Sequence, residues 1–327
     1  MEPYAGVREQ YVTFADEAGE DSPCFVEWAR GVADDPEVLA WVDTLPGLKK
    51  QPNLVFAAAR WHGVPAPGPY AGLREALLGD NGRVRATILE RSTQTNEVGR
   101  LATLLPAFAL AAPSGPVVLI EVGASAGLNL FPDRWGYDWR TEEGRLELGR
   151  PPFLVCEVTG TAPLPHALPQ VSWRAGVDLH PLDVTDADAM AWLETLVWPE
   201  QDERRERLAH AIAVARAEPP RIVPGDLLDE LPGLVTEAAA YGTVVVFHSA
   251  VAAYLSVPDR ERMHAMLSGL VAERPCHWVS NEAPGIFPAI SAAAPPPTPR
   301  RFELALDGRV VAHTHGHGRG LRWLTST

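Results

Sequence analysis

Short runs of β-branched residues alternate with helical segments from residue 113 onward. The runs lie at 117–121, 153–158, 176–179, 221–223, 243–248 and 277–281. Parallel strands need long crossover connections, usually helices, so this alternation predicts an open and mostly parallel α/β sheet. Two alternating runs follow, joined at Asp307-Gly308, a dipeptide typical of type I′ hairpin turns. We therefore expect the sheet to end in an antiparallel hairpin.

The first 112 residues lack this alternation and carry helix signals instead. Asp35-Pro36-Glu37 is typical of a helix cap followed by proline in the first turn, and Pro52 opens a second helical pattern of apolar residues. We predict a helical domain over 1–112 and a Rossmann-like sheet domain over 113–327. The sheet domain is expected to carry a β insertion near 137–158.

The net charge of the chain is −14. This charge repels phosphate backbones and anionic lipids, which disfavours nucleic acid and membrane surfaces as partners. Cys24, Cys156 and Cys276 lie far apart and form neither a disulfide framework nor CxxC metal spacing. The chain has no basic, apolar leader at its start and no 18-residue apolar run. We expect a cytoplasmic protein whose partner is a small molecule, and the sequence leaves its oligomeric state open.

The segment VVLIEVGASAGLNL, residues 117–130, predicts a buried strand, then an acid and a turn of small residues before a helix. Dinucleotide binding through G-x-G-x-x-G would require glycines at positions 125 and 128, where the chain has Ser125 and Leu128. A P-loop would require a Gly-Lys-Ser/Thr end, and no lysine lies near. Three interpretations stay open: a hydrolase motif, a methyltransferase motif, and a turn that only packs the strand against a helix.

The first interpretation is the nucleophile elbow of α/β-hydrolases, G-x-S-x-G, with Ser125 as the nucleophile. The chain offers the other members of a triad in the order of that family: Asp178 or Asp226 as the acid, and His248, His277 or His315 as the base. A hydrolase elbow follows several strands and an oxyanion loop, whereas the preceding 112 residues are predicted to be helical. The hydrolase interpretation therefore ranks below the methyltransferase interpretation.

The second interpretation takes Glu121-x-Gly123-x-Ser125-x-Gly127 as one unit. It resembles motif I of class I S-adenosylmethionine (SAM)-dependent methyltransferases, an acid followed by three glycines, with Ser125 in place of the middle glycine. The resemblance implies a sheet that ends in an antiparallel hairpin and a turn whose backbone approaches SAM. The residues it assigns to the cofactor here are Glu121, Gly123, Ala124, Ser125, Gly127 and Asn129.

Further cofactor residues follow from the order of strands. Asp178 follows the predicted strand after this turn, where a carboxylate accepts hydrogen bonds from both ribose hydroxyls. It lies farther from Gly127 than such acids usually do, which agrees with an insertion. Gly225 and Asp226 follow the next strand, where methyltransferases of this kind have an acid or small polar residue near the adenine. Asp226 is equally typical of an ordinary helix cap.

Candidate catalytic residues lie at the end of the apolar run TVVVFHS. In open α/β sheets the carboxyl ends of strands face the ligand, so we predict that His248 and Ser249 face the substrate, with His248 as a general base. A buried histidine bonded to a carbonyl is the alternative. His315 lies in HTHGHG, whose three imidazoles could bind zinc. Glycines 316 and 318 make a regular strand doubtful there, so we predict no metal and place His315 beside the cleft.

The polar stretch 91–100 interrupts a helical pattern, and the simplest interpretation is a helix break with a cap. QTNEVGR followed by LIEVGASAGLNLFPDRWGYDW also resembles an uncharacterised bacterial family, a domain of unknown function, over nearly the whole chain. The resemblance implies no activity, but it implies that Gln94, Asn96, Glu97 and Arg100 lie near the cleft. We expect methyl transfer from SAM to a small molecule, with the helical domain as a lid. The alternatives are the Ser125 hydrolase and a binding protein without catalysis.

Overall fold

The computed structural model describes residues 5–19, 21–273, 276–292, 295 and 300–324. The α-helices are α1 Ala5–Ala18, α2 Pro23–Asp34, α3 Pro36–Asp43, α4 Pro52–Trp61, α5 Tyr70–Leu78, α6 Arg83–Glu90, α7 Leu101–Ala111, α8 Ala187–Leu196, α9 Asp202–Ala217, α10 Leu227–Ala238, α11 Val257–Glu273 and α12 Pro288–Ser291. The strands are β1 Val117–Val122, β2 Gly136–Thr141, β3 Gly144–Leu148, β4 Phe153–Thr159, β5 Val171–Asp178, β6 Arg221–Pro224, β7 Thr243–Ser249, β8 Cys276–Glu282, β9 Arg301–Leu306, β10 Arg309–His315 and β11 Gly320–Trp323. No described helix is long and apolar enough to span a membrane.

The chain forms two compact units that are not consecutive in sequence. A helical unit comprises residues 1–95 with 186–209, and a sheet unit comprises 96–185 with 210–327. The boundary predicted from the sequence lies at residue 112. In the structure α7, which precedes this boundary, belongs to the sheet unit, and α8, which follows it, belongs to the helical unit. Apolar packing decides this, because α7 is buried along most of its length and contacts strands β4, β7, β8 and β9.

The helical unit is built around aromatic rings. Phe25, Trp28 and Phe56 are fully buried and pack with ring centroids 5.1–5.7 Å apart, and Trp198 joins them from the later segment of this unit. Such rings bury 150–250 Å² each, so the cluster supplies much of the hydrophobic stabilisation of the unit. The predicted helix start at Asp35 is confirmed, since its carboxylate accepts the backbone N–H groups of residues 37 and 38.

The sheet unit contains an 11-stranded sheet, counted over the described residues, in the order β3-β2-β4-β11-β10-β9-β8-β7-β1-β5-β6. The sheet is mixed and mostly parallel, as the alternation of runs predicts. Strands β5 and β6 extend from one side of β1, whereas β7 and β8 extend from the other. The direction of strand addition therefore reverses at β1. In open α/β sheets ligands bind outside the carboxyl ends of the strands at such a reversal, here the ends of β1 and β7.

The end of the sheet confirms one prediction and extends it. Strands β9 and β10 form the predicted hairpin, and Asp307 and Gly308 both have positive φ values, of 50° and 79°, as a type I′ turn requires. Strand β11 was not predicted. It pairs antiparallel with β10 and parallel with β4, and so joins the β2–β4 insertion to the rest of the sheet.

The segment after β1 differs from its prediction. Residues 128–130 and 132–134 form two short 3₁₀ helices where the sequence predicts a helix. Pro132 contributes to this, since proline lacks the N–H that an α-helix would need after its first turn. The turn after β1 therefore does not lead directly into an α-helix.

Candidate functional site

The turn after β1 has alternating left-handed residues. Gly123 and Gly127 have φ values of 69°, and Ser125 between them has a φ of 52°. A Cβ atom disfavours this conformation, which explains the two glycines and makes Ser125 a strained position. Gly123 and Ala124 donate their backbone N–H groups to the carbonyl of Val177 on β5, at 2.8 and 3.2 Å. The turn is thus fixed to the end of its neighbouring strand.

Protein atoms fill the space that side chains would occupy at the two glycines. A Cβ at Gly123 would lie 2.6 Å from Val251, and a Cβ at Gly127 would lie 2.8 Å from Ile222 and Pro220. Packing and positive φ therefore require both glycines without any ligand. The approach of this turn to a cofactor stays a prediction.

Asp178 ends β5 and contacts the turn directly. Its Oδ2 accepts the backbone N–H of Ser125 at 2.8 Å, and its Oδ1 accepts the backbone N–H of His180 at 2.8 Å. The side chain is partly exposed. An ionised carboxylate offers about four acceptor sites. Asp178 therefore fixes the turn and keeps acceptor capacity at the sheet edge.

Glu121 lies near the end of β1 and is buried, with 4% of its surface exposed. Its Oε1 accepts a hydrogen bond from Asn129 Nδ2 at 2.9 Å. Glu121 Oε2 and Asn129 Oδ1 are also buried and have no hydrogen-bond partner in the described part of the chain. Burial raises the pKa of Glu121 to about 8; Asp178 also raises it, whereas Asn129 and Arg100 lower it. This carboxyl is therefore largely protonated at neutral pH.

Asn96 and Arg100 precede α7 and belong to the same unit as the turn. Asn96 Nδ2 donates to the carbonyl of Ala124 at 3.2 Å, and Asn96 Oδ1 accepts the N–H of Leu128 at 3.0 Å. Arg100 donates to the carbonyls of Ser249 and Gly316, at 2.9 and 2.8 Å. Asn96 therefore clamps the turn after β1. Arg100 joins the end of β7 to the segment after β10.

His248, the candidate base, is fully buried on β7. Trp278 Nε1 donates to its Nε2 at 3.0 Å, and its Nδ1 lies 2.7 Å from Glu282 Oε1. An indole N–H only donates, so Nε2 carries the lone pair and the proton sits on Nδ1, donated to the carboxylate. Both ring nitrogens are engaged, as in the alternative interpretation of a bonded core histidine. The catalytic role of His248 stays a prediction that these contacts do not favour.

Glu282, which the sequence analysis missed, ends β8 and holds the segment after β7. Its Oε1 also accepts the backbone N–H groups of Val251 and Ala252, at 2.9 and 3.1 Å. Ala250, just before them, has a φ of 58°, and its N–H donates to the carbonyl of Asn281. The signal available in the sequence was an acid at the end of the last predicted parallel strand, the position that Glu121 holds in β1.

Ser249 is partly exposed at the carboxyl end of β7. Its Oγ accepts a hydrogen bond from Asn281 Nδ2 at 2.8 Å, and Asn281 Oδ1 accepts one from Thr314 at 2.7 Å. This row of polar side chains crosses β7, β8 and β10. The Ser249 oxygen accepts from Asn281, so its own O–H is not used in this bond.

The remaining predicted residues have local partners. Asp226 caps α10 by accepting the N–H of Leu228 at 2.8 Å, and Gly225 donates its N–H to the carbonyl of Asp178 at 3.0 Å. His315 Nδ1 accepts the N–H of His317 at 3.0 Å. No group of three or more His, Cys, Asp or Glu in the described residues could hold a metal ion.

The structure therefore brings most of the predicted cofactor residues to one edge of the sheet unit. Glu121, the turn 123–127, Asp178 and Gly225 follow adjacent strands, and Asn96 contacts the same turn. Gln94 belongs to the helical unit. Its role, and that of the helical unit as a lid, stay predictions.

Comparison with known proteins gives a family without an assigned activity. The model of a family described as "Uncharacterized protein conserved in bacteria (DUF2332)" matches residues 8–323. No curated protein matches the chain. The chain therefore belongs to the DUF2332 family.

Proposed function

We propose that this member of the DUF2332 family binds SAM at the carboxyl edge of its sheet unit and transfers the methyl group to a small-molecule acceptor. The observation that carries the proposal is the pair of acids Glu121 and Asp178. They end adjacent strands β1 and β5, beside the point where strand order reverses, and both keep uncommitted acceptor capacity. Ligands of open α/β sheets bind at such a point.

The acids fit the chemical groups of SAM. The Asp178 oxygens still accept after binding two backbone N–H groups, which suits the two ribose hydroxyls. Glu121 Oε2 and Asn129 Oδ1 receive no donor from the residues that the structure describes, which suits the ammonium group. The two glycines do not add to this fit, because Val251, Ile222 and Pro220 fill their side-chain positions. The fit therefore rests on the acids and not on the glycine pattern.

Bound SAM would supply an electrophilic methyl group, so the chain would mainly have to bind and orient the reactants. Asp178 and the turn it fixes would hold the nucleoside part. Ser249, whose O–H is free to donate, would orient the acceptor at the adjacent strand end. His248 and Glu282 would keep the segment after β7 in place, since Glu282 Oε1 bonds the imidazole and the backbone N–H groups of this segment.

Calorimetry with SAM and its demethylated product, S-adenosylhomocysteine, tests the proposal. We expect the wild-type protein to bind both ligands, and Asp178→Asn to bind each at least tenfold more weakly, because an amide offers one acceptor oxygen instead of two. Asp183→Asn is the matched control: this acid follows Asp178 closely, bonds only within its own turn and should leave affinity unchanged. A wild-type protein that binds neither ligand would contradict the proposal.

Substitution of Gly123 would not test this proposal, and Gly123→Val shows why. A valine there would clash with Val251 and adopt a disfavoured φ, so loss of binding would only report misfolding.

The positive φ of Ser125 favours the hydrolase as a second candidate. A nucleophile elbow also holds its serine in a strained turn. The 3₁₀ helices that follow the turn do not match that motif, which continues into a helix. A fluorophosphonate probe separates the two functions. Stoichiometric labelling that disappears in Ser125→Ala would support the hydrolase, whereas SAM binding retained by Ser125→Ala and no labelling would support methyl transfer.

A further inference from the structure

We propose that Glu121 is a protonated acid in the ligand-free protein and that binding of a cationic ligand makes it release this proton to solvent. The inference rests on the proposed function, because the cationic ligand considered is SAM. It adds that the same site is regulated by pH, because its affinity for SAM depends on pH around neutrality.

The first step is the hydrogen bonding of the carboxyl group. Among the described residues, one side-chain donor, Asn129 Nδ2, reaches Glu121, and it binds Oε1. Within the same part of the chain Oε2 is buried without a partner, and so is the neighbouring Asn129 Oδ1. A buried ionised carboxylate needs several donors or a cation to offset its lost hydration. One amide donor does not provide this, so the neutral form is favoured.

The second step is the charge around the carboxyl group. Asp178 disfavours ionisation of Glu121, whereas the guanidinium of Arg100 favours it. Arg100 also donates to two backbone carbonyls, those of Ser249 and Gly316. The register partners of Glu121 on β5 and β7 are Gly176 and Phe247, which carry no charge. Burial prevails in this balance and raises the pKa of Glu121 to about 8.

The third step is the effect of the ligand. A positive group within about 4–6 Å of a carboxyl favours the ionised form and lowers its pKa. The carboxyl O–H bond of Glu121 then breaks, the proton passes to the buffer, and the carboxylate faces the cation. Binding and proton release are therefore linked, and each strengthens the other.

Calorimetry at pH 7 in two buffers of different ionisation enthalpy measures the released protons. We expect close to one proton per bound SAM or S-adenosylhomocysteine, since both carry the ammonium group, and none for methylthioadenosine, which lacks it. The affinity for SAM should rise about tenfold per pH unit between pH 6 and 7, and level off above pH 8.

Glu121→Gln isolates the contribution of this carboxyl, because the amide keeps the shape and cannot ionise. Its SAM affinity should not vary with pH over this range, and proton release should disappear. Asp307→Asn is the control: this carboxyl accepts the N–H of Trp278 at the opposite end of β8. Asp307→Asn should keep both the pH dependence of SAM affinity and the release of a proton on binding. SAM binding without proton release would overturn the inference and leave the proposed function intact, whereas absence of binding would overturn both.

Unfolding without ligand gives a second, independent measurement. A carboxyl whose pKa is raised in the folded state stabilises the fold at acidic pH, and this contribution is lost as pH rises from about 4.5 to about 8. Against wild type, Glu121→Gln should therefore unfold at increasingly higher temperature as pH rises through this window. A constant difference in melting temperature would show that Glu121 ionises normally and would overturn the inference.

Discussion

Strands β1 and β7 each lead into a segment held by one buried side chain from elsewhere in the sheet unit. The amide of Asn96 clamps the turn after β1, and the carboxylate of Glu282 clamps the segment after β7. Each segment contains one residue with a Cβ and a positive φ, Ser125 in the first and Ala250 in the second. The two regions differ in how their buried glutamates are satisfied.

Glu282 Oε1 accepts from an imidazole and two backbone N–H groups, whereas Glu121 receives one amide donor. The three donors commit Glu282 Oε1 to the fold, whereas its Oε2 is buried without a partner among the described residues. Glu121 has a single side-chain donor in the described chain, and burial raises its pKa to about 8 despite the guanidinium of Arg100. The comparison teaches that a buried acid with few donors is the better candidate for a ligand site than one with many.

Removal of the Glu282 carboxylate should have the largest effect. Glu282→Ala leaves His248 Nδ1–H and the N–H groups of Val251 and Ala252 without an acceptor, and should lower the free energy of unfolding by about 3–5 kcal/mol. Glu282→Gln keeps an acceptor oxygen and should lose only about 1–2 kcal/mol. Urea denaturation followed by tryptophan fluorescence measures both. Equal losses of stability in the two variants would show that the acceptor oxygen kept by Glu282→Gln does not hold this segment.

Removal of the amide clamp on the other side should have an intermediate effect. Asn96→Ala deletes two buried hydrogen bonds to the turn and should lower the free energy of unfolding by about 2 kcal/mol. Asp226→Ala, which removes one exposed helix cap, should lose about 1 kcal/mol in the same assay. If Asn96→Ala lost less than this cap, the turn after β1 would not depend on its clamp.

Glycine at the two left-handed positions should have the smallest effect. In Ser125→Gly and Ala250→Gly the relief of about 1 kcal/mol of backbone strain offsets the entropy lost by a glycine on folding, so the net change should stay within about 1 kcal/mol. The neighbouring substitutions Ala126→Gly and Ala252→Gly relieve no strain. These two variants should therefore be less stable than Ser125→Gly and Ala250→Gly, respectively. Thermal unfolding of the four variants ranks them, and a reversed order would refute the strain at these residues.

Features specified by neighbouring residues could be predicted from the sequence. The start of α3 at Asp35, the run of β1, and the hairpin turn at Asp307-Gly308 each depend on a few adjacent residues, and the structure has all three. The acid–glycine–acid pattern at Glu121, Gly123 and Asp178 also indicated side chains that meet at one edge, because parallel strands align their carboxyl ends.

Features that depend on distant pairing could not be predicted. The bond between His248 and Glu282 requires β7 and β8 to be neighbours in a particular register, and no local pattern specifies that register. The same holds for the placement of α7, and for β11, whose four residues are recognisable as a strand only between β4 and β10. The burial that leaves Glu121 protonated is likewise a property of the packed sheet.

Strand β11 has a consequence for the synthesis of this protein. Thr159 at the end of β4 pairs with Arg322, so one edge of β4 obtains its partner only when the last strand leaves the ribosome. At about 5–20 residues per second, the roughly 160 residues between them take about 8–30 s to translate. During this interval the nascent chain carries an open strand edge, the kind of surface on which unfinished chains aggregate or recruit chaperones.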